Sequence, residues 1–246
     1  SEVAKHGVTT TQLRIASITK LLTAWATLVA AEEGAVALSD PAGQPGCTLE
    51  LLLCHAGGYQ FDSPTIVAAP GARRIYSNTG YELVAEHVTE RTGIPFPTYL
   101  SEAVFEPLGM HQSELRGSPA ADLWSTADDL VRFAAELLTP RLVDRTTALD
   151  AQRVHLPQLD GVLPGWGRFA PLPWGLGPEL RGRKSPTWMG ESAPPTCFGH
   201  FGGSGTLLWV DPEARVAAVA LTDHEFGPWA VSAWPGWSDR VRAAYS

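Results

Sequence analysis

The stretch "LRIASITKLLTAWATLVAAEEG", Leu13 to Gly34, decides the fold. It opens polar, places Ser17 and Lys20 three apart, and then turns almost wholly apolar. The pattern predicts a helix from Ser17 to about Glu33, with Gly34 as its stop signal. Positions i and i+3 share a helix face, so Ser17 and Lys20 face the same way. A helix start offers unpaired N–H groups and a dipole that favours negative charge. A neighbouring amine can help move a serine proton there. Alone the motif is weak, because a capping serine with a solvated lysine is the commoner meaning. Its context raises it: a helix apolar on nearly every side is buried, so its polar start must face something.

The totals bound the answer. The 246 residues suit one large domain or two interleaved subdomains. A net charge of -8 disfavours a nucleic-acid partner. The three cysteines, Cys47, Cys54 and Cys197, show no C-x-x-C spacing. Free thiols in a reducing compartment are the expectation, and one disulfide plus one thiol stays open. No apolar run reaches membrane-spanning length and no signal peptide is visible, so no membrane partner and a cytoplasmic location are expected. A removed leader is left open. His6, His55, His87, His111, His155 and His224 show no metal-ligand spacing, and neither metal nor cofactor is expected.

Along the chain, residues 1–12 supply one short strand at most. "TLELLLCHAGGY" (Thr48–Tyr59) predicts a short helix capped by Thr48 and ended by Gly57-Gly58. Ser77–Gly93 has helical spacing at Tyr81, Val84, Ala85 and Val88, closed by Gly93. Ser125–Leu138 reads as an amphipathic helix, with Ser125 and Asp128 as a capping-box variant. From Pro140 to Cys197 the chain is rich in Pro, Gly and Trp and reads as a long excursion or lid. Thr206–Asp223 gives two apolar runs around Asp211-Pro212-Glu213, a β-hairpin. Ala230–Tyr245 predicts a final helix with a break at Pro235-Gly236. Helices in the middle and strands late indicate an α+β architecture.

Two further motifs bear chemistry. Tyr76-Ser77-Asn78 offers a phenol for proton transfer and an amide to orient neighbours; alone it reads as a strand end running into a turn. His200-Phe201-Gly202-Gly203 is a glycine-rich approach to a strand, where backbone N–H groups can come close to a ligand. It is no dinucleotide loop, because a strand follows rather than a helix. Ser204 is no nucleophile elbow, because Thr206 stands where the second glycine would be.

In this order the three motifs resemble the serine β-lactamase and penicillin-binding-protein superfamily. The nearest branch is that of class C β-lactamases, D-stereospecific peptidases and related serine esterases. "RIASITKLLTA", "LLLCHAGGY", "PGARRIYSNTGYELVAEHV", "VFEPLGM", "LWSTADDLVRFAAELL", "WGLG" and "GHFGGSGTLLWVDPEARVAAVALTD" all look like segments of that branch. They cover about Leu13 to Asp223. The resemblance implies an antiparallel sheet flanked by helices, with an inserted helical subdomain. On this reading 1–36 and 195–246 form the sheet subdomain. Residues 37–194 form the mostly helical part, with the lid at about 140–197.

The resemblance also implies roles. Ser17 would be the acylated nucleophile and Lys20 its proton-handling partner. Tyr76 would be the general base in acylation and the acid for the leaving group. Asn78 would orient Lys20 and the substrate. His200 stands where the third motif usually has lysine, or histidine in some peptidases and esterases. The N–H groups of Ser17 and Gly203 would form the oxyanion hole. Phe201, Gly202, Tyr59, Asp62 and Trp174 are the expected substrate-binding neighbours.

Three departures from the family pattern carry weight. Phe201 replaces the small hydroxyl residue that helps bind a substrate carboxylate, and a phenyl ring cannot donate that hydrogen bond. His200 replaces a fixed positive charge with a group of reference pKa about 6.5, so an acid limb from His200 is expected. Only sixteen residues precede Ser17, which leaves three expectations open: a smaller sheet, a trimmed chain or an edge covered by a partner. An exposed sheet edge invites pairing, and a homodimer is one expectation.

The sequence therefore points to a serine hydrolase working through a Ser17 acyl-enzyme on small esters or amides that lack a critical carboxylate. Acyl transfer is the close variant. The rivals are a D-amino-acid peptidase or weak β-lactamase, and a non-catalytic member that binds a ligand.

Overall fold

The computed structural model describes residues 4–245. Strand β1 (Leu13–Arg14) leads through a single 3-10 turn, Ala16–Ile18, into α1 (Thr19–Glu32). Gly34 closes α1 with a φ of +75°, a conformation that costs glycine little. Thr48 caps α2 (Leu49–Leu53), its hydroxyl accepting the Leu51 N–H. The hairpin β2 (Tyr59–Gln60) and β3 (Ser63–Ile66) and the strand β4 (Arg74–Ile75) precede α3 (Asn78–Thr92). Ser77 caps α3, and Gly93 ends it in the left-handed region. Next come α4 (Phe96–Leu100), a π-helical turn (Ser101–Phe105) and α5 (Glu106–Leu108). Then follow β5 (Glu114–Leu115), β6 (Leu123–Ser125), α6 (Ala127–Leu138) and α7 (Arg145–Ala151). The Pro/Gly/Trp-rich segment contains β7 (Gly161–Leu163), β8 (Gly167–Phe169) and β9 (Glu179–Leu180). The chain finishes with β10 (Phe198–Gly202), β11 (Thr206–Asp211), β12 (Val216–Ala220) and α8 (Pro228–Tyr245).

The central sheet runs β12-β11-β10-β9, antiparallel throughout. Its side chains alternate between two cores, as the period of a strand requires. Phe198, Leu208 and Val210 face the core built around α1, whose residues Thr19 to Ala30 are all buried. Phe201, Leu207 and Trp209 face the opposite core, under α8 and the buried Trp188. On α8 the buried positions Ala230, Trp234, Ser238 and Arg242 recur every four residues, one stripe toward the sheet. Arg242 ends that stripe in a buried ion pair with Asp211, 2.8 Å from Nε to Oδ2.

Several local expectations are corrected. The limit of one short strand before residue 13 is not among them: residues 4–12 hold none, the pairing strand is Leu13–Arg14, and residues 1–3 lie outside the described residues. The cap of α6 is Thr126, which accepts the Asp129 N–H, because Ser125 is taken up by β6 and bonds Ser113 Oγ at 2.8 Å. Helix α2 stops at Leu53, before the glycines, because His55 turns left-handed at φ +57°. Helix α8 passes Pro235 without a break. Packing of its buried stripe outweighs the local cost of the proline, which is about 3 kcal/mol.

Candidate active site

The turn into α1 is unusual in its backbone. Ala16, directly before Ser17, has a φ of +47°, a region that side chains other than glycine rarely adopt. Such strain persists only where the surroundings hold it. Here Thr206 Oγ1 donates to the Ile15 carbonyl at 2.8 Å, and Gly202 presses on the same segment. A Cβ at Gly202 would lie 2.4 Å from the Ile15 oxygen and 3.1 Å from Ala16 Cβ. Glycine is therefore required there, and its absent side chain lets the end of β10 meet the Ser17 turn.

Lys20 lies one turn further on and is fully buried. Its Nζ has three oxygen neighbours: Asn78 Oδ1 at 2.6 Å, the Ala120 carbonyl at 2.9 Å and Ser17 Oγ at 3.4 Å. Three acceptors match the three protons of an ammonium. Burial nevertheless disfavours the charge and pulls the Lys20 pKa down to about 7, with Asp62 and Glu82 partly opposing. The neutral amine therefore has a substantial population at neutral pH. Its N–H groups serve the two nearer acceptors, and Ser17 Oγ lies further off at 3.4 Å.

Tyr76 completes the arrangement from the end of β4. Its hydroxyl is hydrogen-bonded to Ser17 and lies 3.4 Å from His200 Nε2. Burial pushes the phenol well above its usual value, so it stays protonated. His200 donates through Nδ1 to the Phe201 carbonyl at 2.7 Å, which leaves Nε2 to accept from the phenol. Burial, and then the Lys20 charge, push His200 down to about 3. The acid limb expected from His200 is corrected accordingly. That imidazole is neutral across the working range, and the group that titrates near neutrality is Lys20.

The expected substrate-binding residues separate. Asp62 is at the site, its Oδ1 accepting from Asn78 Nδ2 at 3.3 Å. Gly202 is at the site as packing against the Ser17 turn. Phe201 points to the other face of the sheet from His200, where its ring meets Trp188, Phe226 and Trp234 at centroid distances of 5.6, 5.1 and 5.7 Å. Trp174 is fully buried behind the site, against His55, Tyr76 and His200, and offers no open surface to a ligand. Tyr59 is not brought to the site at all. Its hydroxyl is directed at the Gly43-Gln44 turn, because β2 carries it into the core around α1.

Two neighbours were not singled out from the sequence. Phe61 stacks on Tyr76 at 5.9 Å and 20° while remaining 52% exposed. Its carbonyl accepts the Asn78 N–H at 2.6 Å. The signal was an apolar residue between Tyr59 and Asp62 in an otherwise polar loop. His55 lies beneath Tyr76, 4.5 Å between centroids. Nothing in its local sequence marks it.

Ser17, Lys20, Tyr76, Asn78 and His200 thus meet in one buried cluster at the start of α1. The β-lactamase family model matches residues 6–236, and the chain belongs to that family. A β-lactamase crystal structure from Mycobacterium bovis is 48% identical, with a TM-score of 0.97 over 99% of this chain and 90% of that one. The simvastatin synthase LovD of Aspergillus terreus, at 17% identity, shares the fold with a TM-score of 0.83 over 97% of this chain and 85% of that one. The D-alanyl-D-alanine-carboxypeptidase/endopeptidase AmpH of Escherichia coli K12 is 23% identical over 66% of this chain. The chain spans about 60% of the length of that protein. The fold is the β-lactamase/transpeptidase-like one, and members of this superfamily are serine hydrolases and acyltransferases. Among the described residues, no helix is long and apolar enough to cross a membrane.

Proposed function

We propose that the protein is a serine hydrolase acting on small, uncharged esters or amides through a Ser17 acyl-enzyme. The observation that carries this is the hydrogen-bond set of Lys20: two short bonds, to Asn78 and Ala120, and a longer approach to Ser17. The neutral Lys20 amine takes the Ser17 proton as Oγ attacks the substrate carbonyl. The Ser17 and Gly203 N–H groups receive the developing oxyanion. The C–O or C–N bond then breaks. The proton reaches the leaving group through the Tyr76 hydroxyl, which is replenished from Lys20. Water attacks the acyl-enzyme by the same route in reverse and releases the acid. An alcohol or amine in place of water gives acyl transfer instead.

This reading moves the base from Tyr76 to Lys20, because burial holds the phenol protonated while it brings the Lys20 pKa down to about 7. The preference for uncharged substrates is supported by the acidic Asp62 at the site. The test is hydrolysis of p-nitrophenyl acetate and butyrate by the wild type and Ser17→Ala between pH 5 and 9. Turnover that disappears in Ser17→Ala and rises through about pH 7 is expected. Equal turnover by both proteins would overturn the reading.

A further inference from the structure

His55 meets Tyr76 from three directions. Its carbonyl accepts the N–H of Ile75, the residue before Tyr76, at 2.8 Å. Its ring Nδ1 accepts the N–H of Ser77, the residue after Tyr76, at 3.2 Å. The ring itself packs 4.5 Å from the tyrosine ring. The peptide group that follows Tyr76 and the one that precedes Ile75 are thus both tied to one residue.

That residue is held in a form with no packing explanation of its own. It is 2% exposed and takes a φ of +57°. Nδ1 accepts a hydrogen bond, so the ring proton sits on Nε2. Nε2 has no hydrogen-bond partner among the described residues. A buried polar atom left unpaired is a cost that a leucine or phenylalanine would avoid. What the imidazole supplies and an apolar ring cannot is the Nδ1 acceptor. The surroundings keep it neutral: Tyr81 and Trp174 pack at 5.1 and 4.8 Å, and burial together with the charges of Lys20 and Arg74 disfavours the imidazolium.

We propose that His55 is a positioning residue for acyl transfer, fixing the Tyr76 hydroxyl between Ser17 and His200 through the backbone N–H groups of Ile75 and Ser77 on either side of it. The proposal rests on the acyl-enzyme reading above. It differs from a packing role in one respect: it requires an acceptor at Nδ1 and no ring. Asparagine tolerates the left-handed region and places Oδ1 where Nδ1 lies. Glutamine carries the same amide one methylene too far. Leucine has no acceptor.

The experiment compares His55→Asn, His55→Gln and His55→Leu by the rate of fluorophosphonate labelling of Ser17. It adds kcat and KM for p-nitrophenyl butyrate, and circular dichroism to establish folding. The expected result is His55→Asn within about threefold of wild type, with His55→Gln and His55→Leu slower by about tenfold or more in kcat, KM moving less than about twofold. If His55→Leu does not fold, the Asn–Gln comparison decides alone. Equal rates for the folded variants, or a loss in His55→Asn as large as in His55→Gln, would overturn the proposal. A wild type that is not labelled at all would bring down the acyl-enzyme reading, and the His55 role with it.

Discussion

Lys20 Nζ and Asn78 Oδ1 lie 2.6 Å apart, the shortest of the three contacts of a fully buried lysine. The Asn78 amide stabilises the ammonium more than the amine, since a carbonyl oxygen only accepts. Asn78→Ala removes that acceptor. The Lys20 pKa then falls, and the acid limb of kcat/KM moves below its wild-type position near pH 7. The rate also falls by about tenfold or more, because Nζ is no longer held toward Ser17. A pH–rate profile of the variant checks both parts.

Asp62 acts on the same lysine from a greater distance. Its negative charge raises the Lys20 pKa, and its carboxylate holds the Asn78 amide. Activity requires the neutral amine and so rises with pH through the Lys20 pKa. Removing the charge in Asp62→Asn shifts that rise to lower pH. The exposed carboxylate is solvent-screened, so the shift is smaller than one pH unit. Anionic esters gain relative to neutral ones in the same variant. Parallel pH profiles with acetate and succinate monoesters measure the two effects.

The depressed pKa of Lys20 is also a statement about stability. The folded-state value, about 7, lies below the unfolded value of 10.5. The unfolded chain therefore binds more protons between the two, and stability rises with pH across that window. Below about pH 7 the folded state bears the cost of a buried charge. Lys20→Met removes a penalty on the order of 4 kcal/mol and strands two acceptors at about 1–2 kcal/mol each. The variant is expected to be inactive yet at least as stable as wild type at pH 6. At pH 10 it loses that advantage. Denaturant midpoints at the two pH values read the difference.

Restoring the family hydroxyl in Phe201→Thr empties part of an aromatic cluster. The ring sits 7% exposed among Trp188, Phe226 and Trp234. Losing it costs about 3 kcal/mol, as large-to-small core changes do. No efficient turnover of anionic β-lactams is expected, because Asp62 remains at the site. Chemical denaturation and a chromogenic cephalosporin assay test the two statements.

The buried pair Lys184–Glu179, 2.7 Å between Nζ and Oε1, holds the Trp188 indole, which donates to Glu179 at 2.9 Å. Lys184→Met leaves the carboxylate buried and unpaired and destabilises by about 3–5 kcal/mol. Adding Glu179→Leu to it recovers much of that loss. A double-mutant cycle on denaturant midpoints measures the recovery.

The helix frame was legible because its signals are local. Thr48, Ser77, Gly34 and Gly93 announce helix ends by their own chemistry. The motif residues were legible because their spacing resembles a known family. What needed coordinates was facing. His200 and Phe201 are neighbours, yet strand alternation sends one to Tyr76 and the other to Trp234. Tyr59 was misplaced because Gly58, at φ +82°, turns the chain before β2 and redirects the side chain. The protonation of Lys20, Tyr76 and His200 could not be read at all, because burial by distant segments sets it. His55 carries no local mark, since its meaning lies in two peptide groups twenty residues downstream.

The central claim is the Ser17 acyl-enzyme, and it is tested most directly by mass. The wild type and Ser17→Ala are mixed with p-nitrophenyl butyrate, quenched in acid within seconds and digested. A butyryl increment is expected on the peptide containing Ser17, absent from Ser17→Ala, with release of p-nitrophenol lost in step. Turnover without that adduct in Ser17→Ala, or an adduct on another residue of the wild type, would contradict it.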